Sequence, residues 1–244
     1  MIKGGNPFYH KYIMNISFDI INDLNLTHSD KFVWEGKTTS LYCLISGNIS
    51  EDPKIVHRTL TYLSLMYQGI FYIDGSLEQT DLLNRTDKID ELEKICKSIN
   101  NAVYLYDNVI IMHGIAIIGI NGWYKNCSAI DERDQDLIEV YRREDIVYLR
   151  NIIKKLQLHG DVKEIIVLSN SVPNKSLYFG ETTETVDELC PTMCLSVDTE
   201  KKVKYWLFGT YDKKVDTEIH GINFVSNPYI KNEPYWAKRI EIKI

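Results

Sequence analysis

At 244 residues and 28.4 kDa, with 44% hydrophobic residues, the chain can bury a sizeable core in one large α/β domain or two small ones. Its 34 acidic and 28 basic residues leave a net charge of -6, which disfavours a nucleic-acid binder driven by counterion release. The longest apolar run, 109–120, is broken at Met112-His113-Gly114 and is too short to span a bilayer, and the N-terminus lacks a charged-then-apolar signal plan, so a cytoplasmic protein is expected.

Five cysteines (Cys43, Cys96, Cys127, Cys190, Cys194) are an odd number spread over the chain, as suits free thiols in a reducing compartment. Cys190 and Cys194 could share a helical face as half of a zinc site, but no second pair matches them and they read as ordinary cysteines. The abundance of Ile, Asn, Lys and Tyr suggests an AT-rich genome, phage or low-GC bacterial, and in the viral case the host cytoplasm is the location.

Residues 1–14, with the turn Gly4-Gly5-Asn6-Pro7 and the aromatics Phe8, Tyr9 and Tyr12, read as an N-terminal extension. Residues 15–244 read as one domain. A buried-looking strand over 16–26 runs out at Asp23 and Asn25. A second near-continuous apolar run, 39–46, ends at Gly47-Asn48. Asp52-Pro53 opens a helix carrying Ile55, Leu60, Leu63 and Met66. Residues 69–73 form a third strand that ends in Asp74-Gly75-Ser76-Leu77-Glu78, so this half is a parallel βαβ arrangement.

A helix over 87–100 and a short strand over 102–106 follow, then a hairpin of 108–112 and 115–120 turning at His113-Gly114. Residues 136–158 form a long amphipathic helix with Leu137, Tyr141, Leu149 and Ile153 inward. The strand 164–168 ends at Ser169-Asn170-Ser171-Val172-Pro173, and the connection 174–200 is long enough to suggest a contact role. A strand over 204–208 ends at Gly209-Thr210-Tyr211-Asp212, 218–228 is a hairpin turning at His220-Gly221, and 239–244 alternates like an edge strand.

The strand ends in order are Asp23-Leu24-Asn25, Gly47-Asn48, Gly75-Ser76-Leu77-Glu78, Asn170 and Gly209-Thr210-Tyr211-Asp212. This order resembles the calcineurin-like metallophosphoesterases, whose signature is D-x-H, G-D, G-N-H-E, a His before a Pro-containing turn, and G-H-x-H. The likeness extends from about residue 16 to 228 and includes the glycine-then-tryptophan segment Gly119-Ile120-Asn121-Gly122-Trp123 and a closing hairpin ending at Asn227-Pro228. It implies an α/β fold, a four-layer α/β/β/α sandwich with two mixed sheets flanked by helices.

In that family two divalent cations polarise a phosphoryl group and supply a metal-bound hydroxide, and the His of G-N-H steadies the leaving group. Carried over by position, only Asp23 keeps the family's residue. Asn25 stands for the first His, Asn48 for the bridging Asp, Ser76 for the ligand Asn and Leu77 for the catalytic His. Asn170 stands for a ligand His, and Thr210 and Asp212 for the last two. An amide at a bridging position removes a charge between two dications, and leucine neither ligates nor donates a proton.

The resemblance therefore implies a degenerate member with no catalytic residues, no cofactor beyond at most one weakly bound divalent cation at Asp23 and Asp212, and a vestigial pocket. The function expected is a pseudoenzyme acting as a binding or scaffold subunit for a protein partner. Degenerate members of this kind include a retromer subunit and the B subunits of replicative DNA polymerases. The alternatives are a phosphodiesterase or phosphatase with an altered single-metal site, and a non-hydrolytic binder of a phosphorylated ligand. Glu78 reads as a helix N-terminal charge. Tyr235 and Trp236, in Pro234-Tyr235-Trp236, are the candidate partner-binding surface.

Overall fold

The apolar runs of the first half become strands buried on both faces. In β1 (Asn15–Ile21), β2 (Tyr42–Ser46) and β3 (Gly69–Ile73), side chains alternate between two cores. Phe18, Ile20, Leu44, Phe71 and Ile73 point to one, and Ile21, Cys43, Ile45, Ile70 and Tyr72 to the other. The structure, a computed structural model, describes residues 15–30, 32, 38–123, 132–177, 201–231, 233 and 235–244. The expected N-terminal extension and the Cys190 and Cys194 pair lie outside these residues.

β1 to β3 are parallel. β11 (Lys238–Lys243) adds antiparallel to β1, and β4 (Ala102–Tyr104) adds parallel to β3, giving a mixed sheet of order β11-β1-β2-β3-β4. The second sheet has order β5-β6-β7-β8-β10-β9. Its members are β5 (Asn108–Met112), β6 (Ile115–Ile120), β7 (Glu164–Ser169), β8 (Val203–Phe208), β9 (Val215–Ile219) and β10 (Ile222–Ser226). It too is mixed, because β5 and β9 run antiparallel to their neighbours.

Helices α1 (Pro53–Ser64) and α2 (Arg85–Lys97) cover the first sheet around Leu60, Leu63, Leu92 and Cys96. Helix α3 (Glu132–Leu158) covers the second through Leu149, Ile153 and Leu156. A third core lies between the sheets, so the four expected layers are present. The sheets approach closely at Gly119, where a Cβ would sit 2.3 Å from the Leu105 carbonyl oxygen.

Local rules account for most boundaries. The Asp52 carboxylate accepts from the Lys54 N–H at 2.8 Å and caps α1, whose first residue is Pro53. Both hairpins turn on His-Gly with positive φ at both residues, His113 and Gly114 in one and His220 and Gly221 in the other, as a two-residue primed turn requires.

β1 stops at Ile21, not at residue 26, because Asp23 and Asn25 adopt φ of 53° and 47° and leave the ladder. The second strand starts at Tyr42, not at residue 39, because Thr39 and Ser40 turn to the buried Asp19. Its carboxylate accepts from the Thr39 N–H at 2.9 Å, the Ser40 hydroxyl at 2.8 Å and the Tyr67 hydroxyl at 2.9 Å. No helix among the described residues is long and apolar enough to cross a membrane.

Candidate functional site

The carboxyl ends of β1, β2, β3, β7 and β8 converge, as the ends of parallel strands do where open α/β sheets bind ligands. Three glycines allow the approach. A Cβ on Gly47 would lie 2.8 Å from both the Asn170 amide nitrogen and the Gly75 N, and one on Gly75 would lie 2.2 Å from the Asn48 side-chain Oδ1. One on Gly209 would meet the Ser46 carbonyl at 2.7 Å and Asp23 Oδ1 at 2.9 Å. Beside them Asp23, Asn25, Asn48 and Thr210 all hold φ near +50°, with values of 53°, 47°, 56° and 52°. For the β-branched Thr210 this is a strained state, tolerated where surrounding bonds over-determine it.

Those bonds form one closed network. Asp23 Oδ1 accepts from the Asn48 side-chain amide and from the Thr210 backbone N–H, each at 2.9 Å, and Oδ2 accepts from the Asn22 amide at 2.9 Å. The Asn48 amide also reaches the Thr210 hydroxyl at 3.3 Å, and Asn48 Oδ1 accepts from the Leu77 N–H at 3.0 Å. The Thr210 hydroxyl donates to Asn170 Oδ1 at 2.8 Å, the Ser76 N–H reaches the same oxygen at 3.1 Å, and the Asn170 amide donates to the Ser46 carbonyl at 3.2 Å. Burial pushes the Asp23 carboxyl above its ordinary range, against the bonds from Thr210, Asn48 and Asn22.

The structure thus brings together Asp23, Asn48, Ser76, Leu77, Asn170 and Thr210. Asn25 is exposed at the rim, its amide turned back to the Asp23 carbonyl at 3.1 Å. Asp212 is exposed past the buried Tyr211, and among the described residues no hydrogen bond joins it to Asp23. Nor do any described residues form a cluster of three or more His, Cys, Asp or Glu suited to a metal ion. One carboxylate among amides and a hydroxyl does not fit the paired-dication set that the family's chemistry implies.

Glu78 is not a helix N-terminal charge. It is buried, and its carboxylate accepts from four backbone N–H groups: Gly75 at 2.8 Å, Asn48 at 3.0 Å, Ile49 at 2.5 Å and Ser50 at 3.2 Å. It staples the loop after β3 to the loop after β2, and burial pushes it up to about 7.

Tyr235, expected on an exposed surface with Trp236, is also buried, while Trp236 is 59% exposed. The Tyr235 ring packs edge-on against Tyr229 at 5.4 Å. Its hydroxyl donates to the Asn227 carbonyl at 2.6 Å, and the Asn227 N–H donates to Asn22 Oδ1 at 2.7 Å. This second layer, Asn22 with Ser226, Asn227 and Tyr235, holds the end of β1 against the end of β10 and was not anticipated. The available signal was the Asn227-Pro228 ending of the hairpin, since a buried asparagine before a strand exit has a backbone to satisfy.

Away from the strand ends, a groove of about 920 Å³ runs between α1 and α2, bordered by Asp52, His57, Asp87, Lys88 and Lys94. None of the eight strand-end residues lines it.

No protein-family model and no curated protein matches the chain. Solved structures do resemble it. The phosphopantetheinyl hydrolase of Mycobacterium tuberculosis is similar with a TM-score of 0.70 at 12% identity, over 93% of this chain and 96% of that one. A Staphylococcus aureus protein provisionally named a 5′-nucleotidase and solved with α-ketoglutarate is similar with a TM-score of 0.55 at 11% identity. That match covers 88% of this chain, which spans about half, 49%, of the nucleotidase. At these identities the likeness concerns the fold, an α/β sandwich of the metallophosphoesterase type.

Proposed function

We propose that this chain uses a metallophosphoesterase-type fold without its hydrolytic chemistry, as a binding or scaffold subunit for a protein partner. The observation that supports the reading is the state of Asp23. Both of its oxygens accept hydrogen bonds from Asn48, Thr210 and Asn22, so a cation would have to displace donors that already satisfy a buried carboxyl. Around it, amides and leucine stand at the positions where the sequence resemblance expects charged ligands and an acid. The partner surface is assigned to the exposed Trp236, whose carbonyl accepts from the Asn227 side-chain amide at 3.0 Å.

The test is elemental analysis after purification in Mn²⁺, beside hydrolysis of an aryl phosphodiester. Neither metal nor turnover is expected. Stoichiometric metal together with turnover lost in Asp23→Ala would replace this reading with the altered-site phosphodiesterase. A phosphorylated ligand held without cleavage would appear as saturable binding of inorganic phosphate that disappears in Thr210→Ala.

A further inference from the structure

The two sheets have four edge strands, and three carry the devices that keep strand edges from pairing with other chains. β11 carries Lys238, Arg239, Glu241 and Lys243; β9 carries Asp216 and Glu218; β4 is only three residues long. β5 carries none. Asn108-Val109-Ile110-Ile111-Met112 has no charge, no proline and four apolar residues of its five, yet none of them is fully buried and Ile111 is 43% exposed. Its neighbour β6 is buried along its whole length. Among the described residues no strand pairs with the outer edge of β5.

The hairpin geometry says which backbone groups face outward. Met112 pairs with Ile115 across the two-residue turn, Ile110 with Ile117 and Asn108 with Gly119. In such a hairpin the residues flanking the turn exchange hydrogen bonds, and alternate pairs repeat this, so Asn108, Ile110 and Met112 direct their N–H and C=O toward β6. Val109 and Ile111 direct theirs outward, where the Val109 N–H is met only by the side-chain oxygen of the preceding Asn108, at 2.8 Å, a local bond that pairing with another strand replaces.

We propose that β5 is a self-pairing edge, through which two copies of this chain associate antiparallel about a two-fold axis at Ile110. In that register Val109 of one copy faces Ile111 of the other, the two outward-facing residues meet in both symmetry-related places, and each such pair exchanges two backbone hydrogen bonds. Asn108 faces Met112, so no like charges oppose each other and apolar side chains meet on both faces.

A second copy is favoured over a foreign strand because the register that uses both outward-facing residues is itself two-fold symmetric, and an isologous contact needs no further determinant. A five-residue pairing buries less than the roughly 1,000 Å² of a strong interface, so association in the micromolar range is expected.

Light scattering coupled to gel filtration at micromolar to millimolar concentration should give twice the mass of one chain for the wild type. Ile111→Lys, a change at an exposed position that places a charge on the edge, should give the mass of one chain with an unchanged circular dichroism spectrum. Ile110→Cys should form an oxidant-dependent covalent dimer linked at position 110 of each copy, identified by mass spectrometry of the joined peptides. A wild type that stays monomeric, an Ile111→Lys variant that stays dimeric, or an absent 110–110 link overturns the proposal.

Discussion

Asp23 illustrates how little room a single residue has at the strand ends. Its carboxyl is buried and held by three donors, and the residues that hold it are themselves spaced by glycines. Gly75 is the tightest of these, since a methyl group there would overlap both the Asn48 side-chain Oδ1, at 2.2 Å, and the Asn48 backbone nitrogen, at 2.6 Å. Gly75→Ala should cost about 3 kcal/mol of stability in a denaturant titration. Gly160→Ala, where nothing lies within 4 Å, should change it by no more than about 0.5 kcal/mol. Equal effects at the two positions would mean that the strand-end loops separate easily. That Gly47, Gly75 and Gly209 mark tight turns was legible in the sequence. Asn22 and Tyr235 were not, because their roles depend on a contact between the end of β1 and a loop more than 200 positions away.

Among the elements, the junction of α2, the turn after β4, residues 121–123 and α3 depends on one cation. The Arg85 guanidinium is buried, with Tyr141 at 4.2 Å, Tyr106 at 5.0 Å and Trp123 at 5.8 Å from its centre, and Nη1 lies 3.8 Å from Glu144. A planar guanidinium can face three rings at once, while an ammonium cannot cover the same area. Arg85→Lys should therefore cost about 1–2 kcal/mol and loosen α3 first, read as faster amide exchange in α3 than in α1. Uniform exchange in the two helices would show that other contacts hold α3. The sequence marked both ends of this junction, Trp123 after the hairpin and Tyr141 on the inward face of the helix. It could not place Arg85 between them, since a lone arginine before a helix most often faces solvent.

At the scale of the molecule, buried carboxyls shape the response to pH, Asp23 in the same sense as Glu78 and Asp145. Burial pushes Glu78 up to about 7 and Asp145 up to about 7, the latter against a bond from the Gly122 N–H at 2.7 Å. In the unfolded chain the same groups titrate near 4.5 and 3.8. Between those values and about pH 7 the folded chain keeps protons that the unfolded chain has lost, so stability present at low pH declines as the pH rises through this window. Asp30 and Glu139, held down to about 2 by their hydrogen-bond partners, act in the opposite sense, but only below about pH 4. The melting temperature should fall from about pH 5 to pH 8, and Asp145→Asn should make that decline shallower. A melting temperature that rises over this range would show that these carboxyls do not stay protonated in the fold.

The sequence by itself determined the order of strands along the chain and the turns, because strands buried on both faces read as continuous apolar runs and His-Gly turns announce hairpins locally; the four layers followed from the resemblance of its strand ends. It also determined which residue types stand at the five strand ends. Only the tertiary structure decided what those residues do to one another. Asn48, Asn170 and Thr210 are far apart in the chain, and the bonds of Asn48 and Thr210 to Asp23 and of Thr210 to Asn170 exist because the strand ends of two sheets come together. Tyr235 became a buried anchor for the same reason, and Glu78 a staple because β2 and β3 lie side by side in one sheet. Hydrogen bonding depends on distance in space, which periodicity and local propensity do not encode.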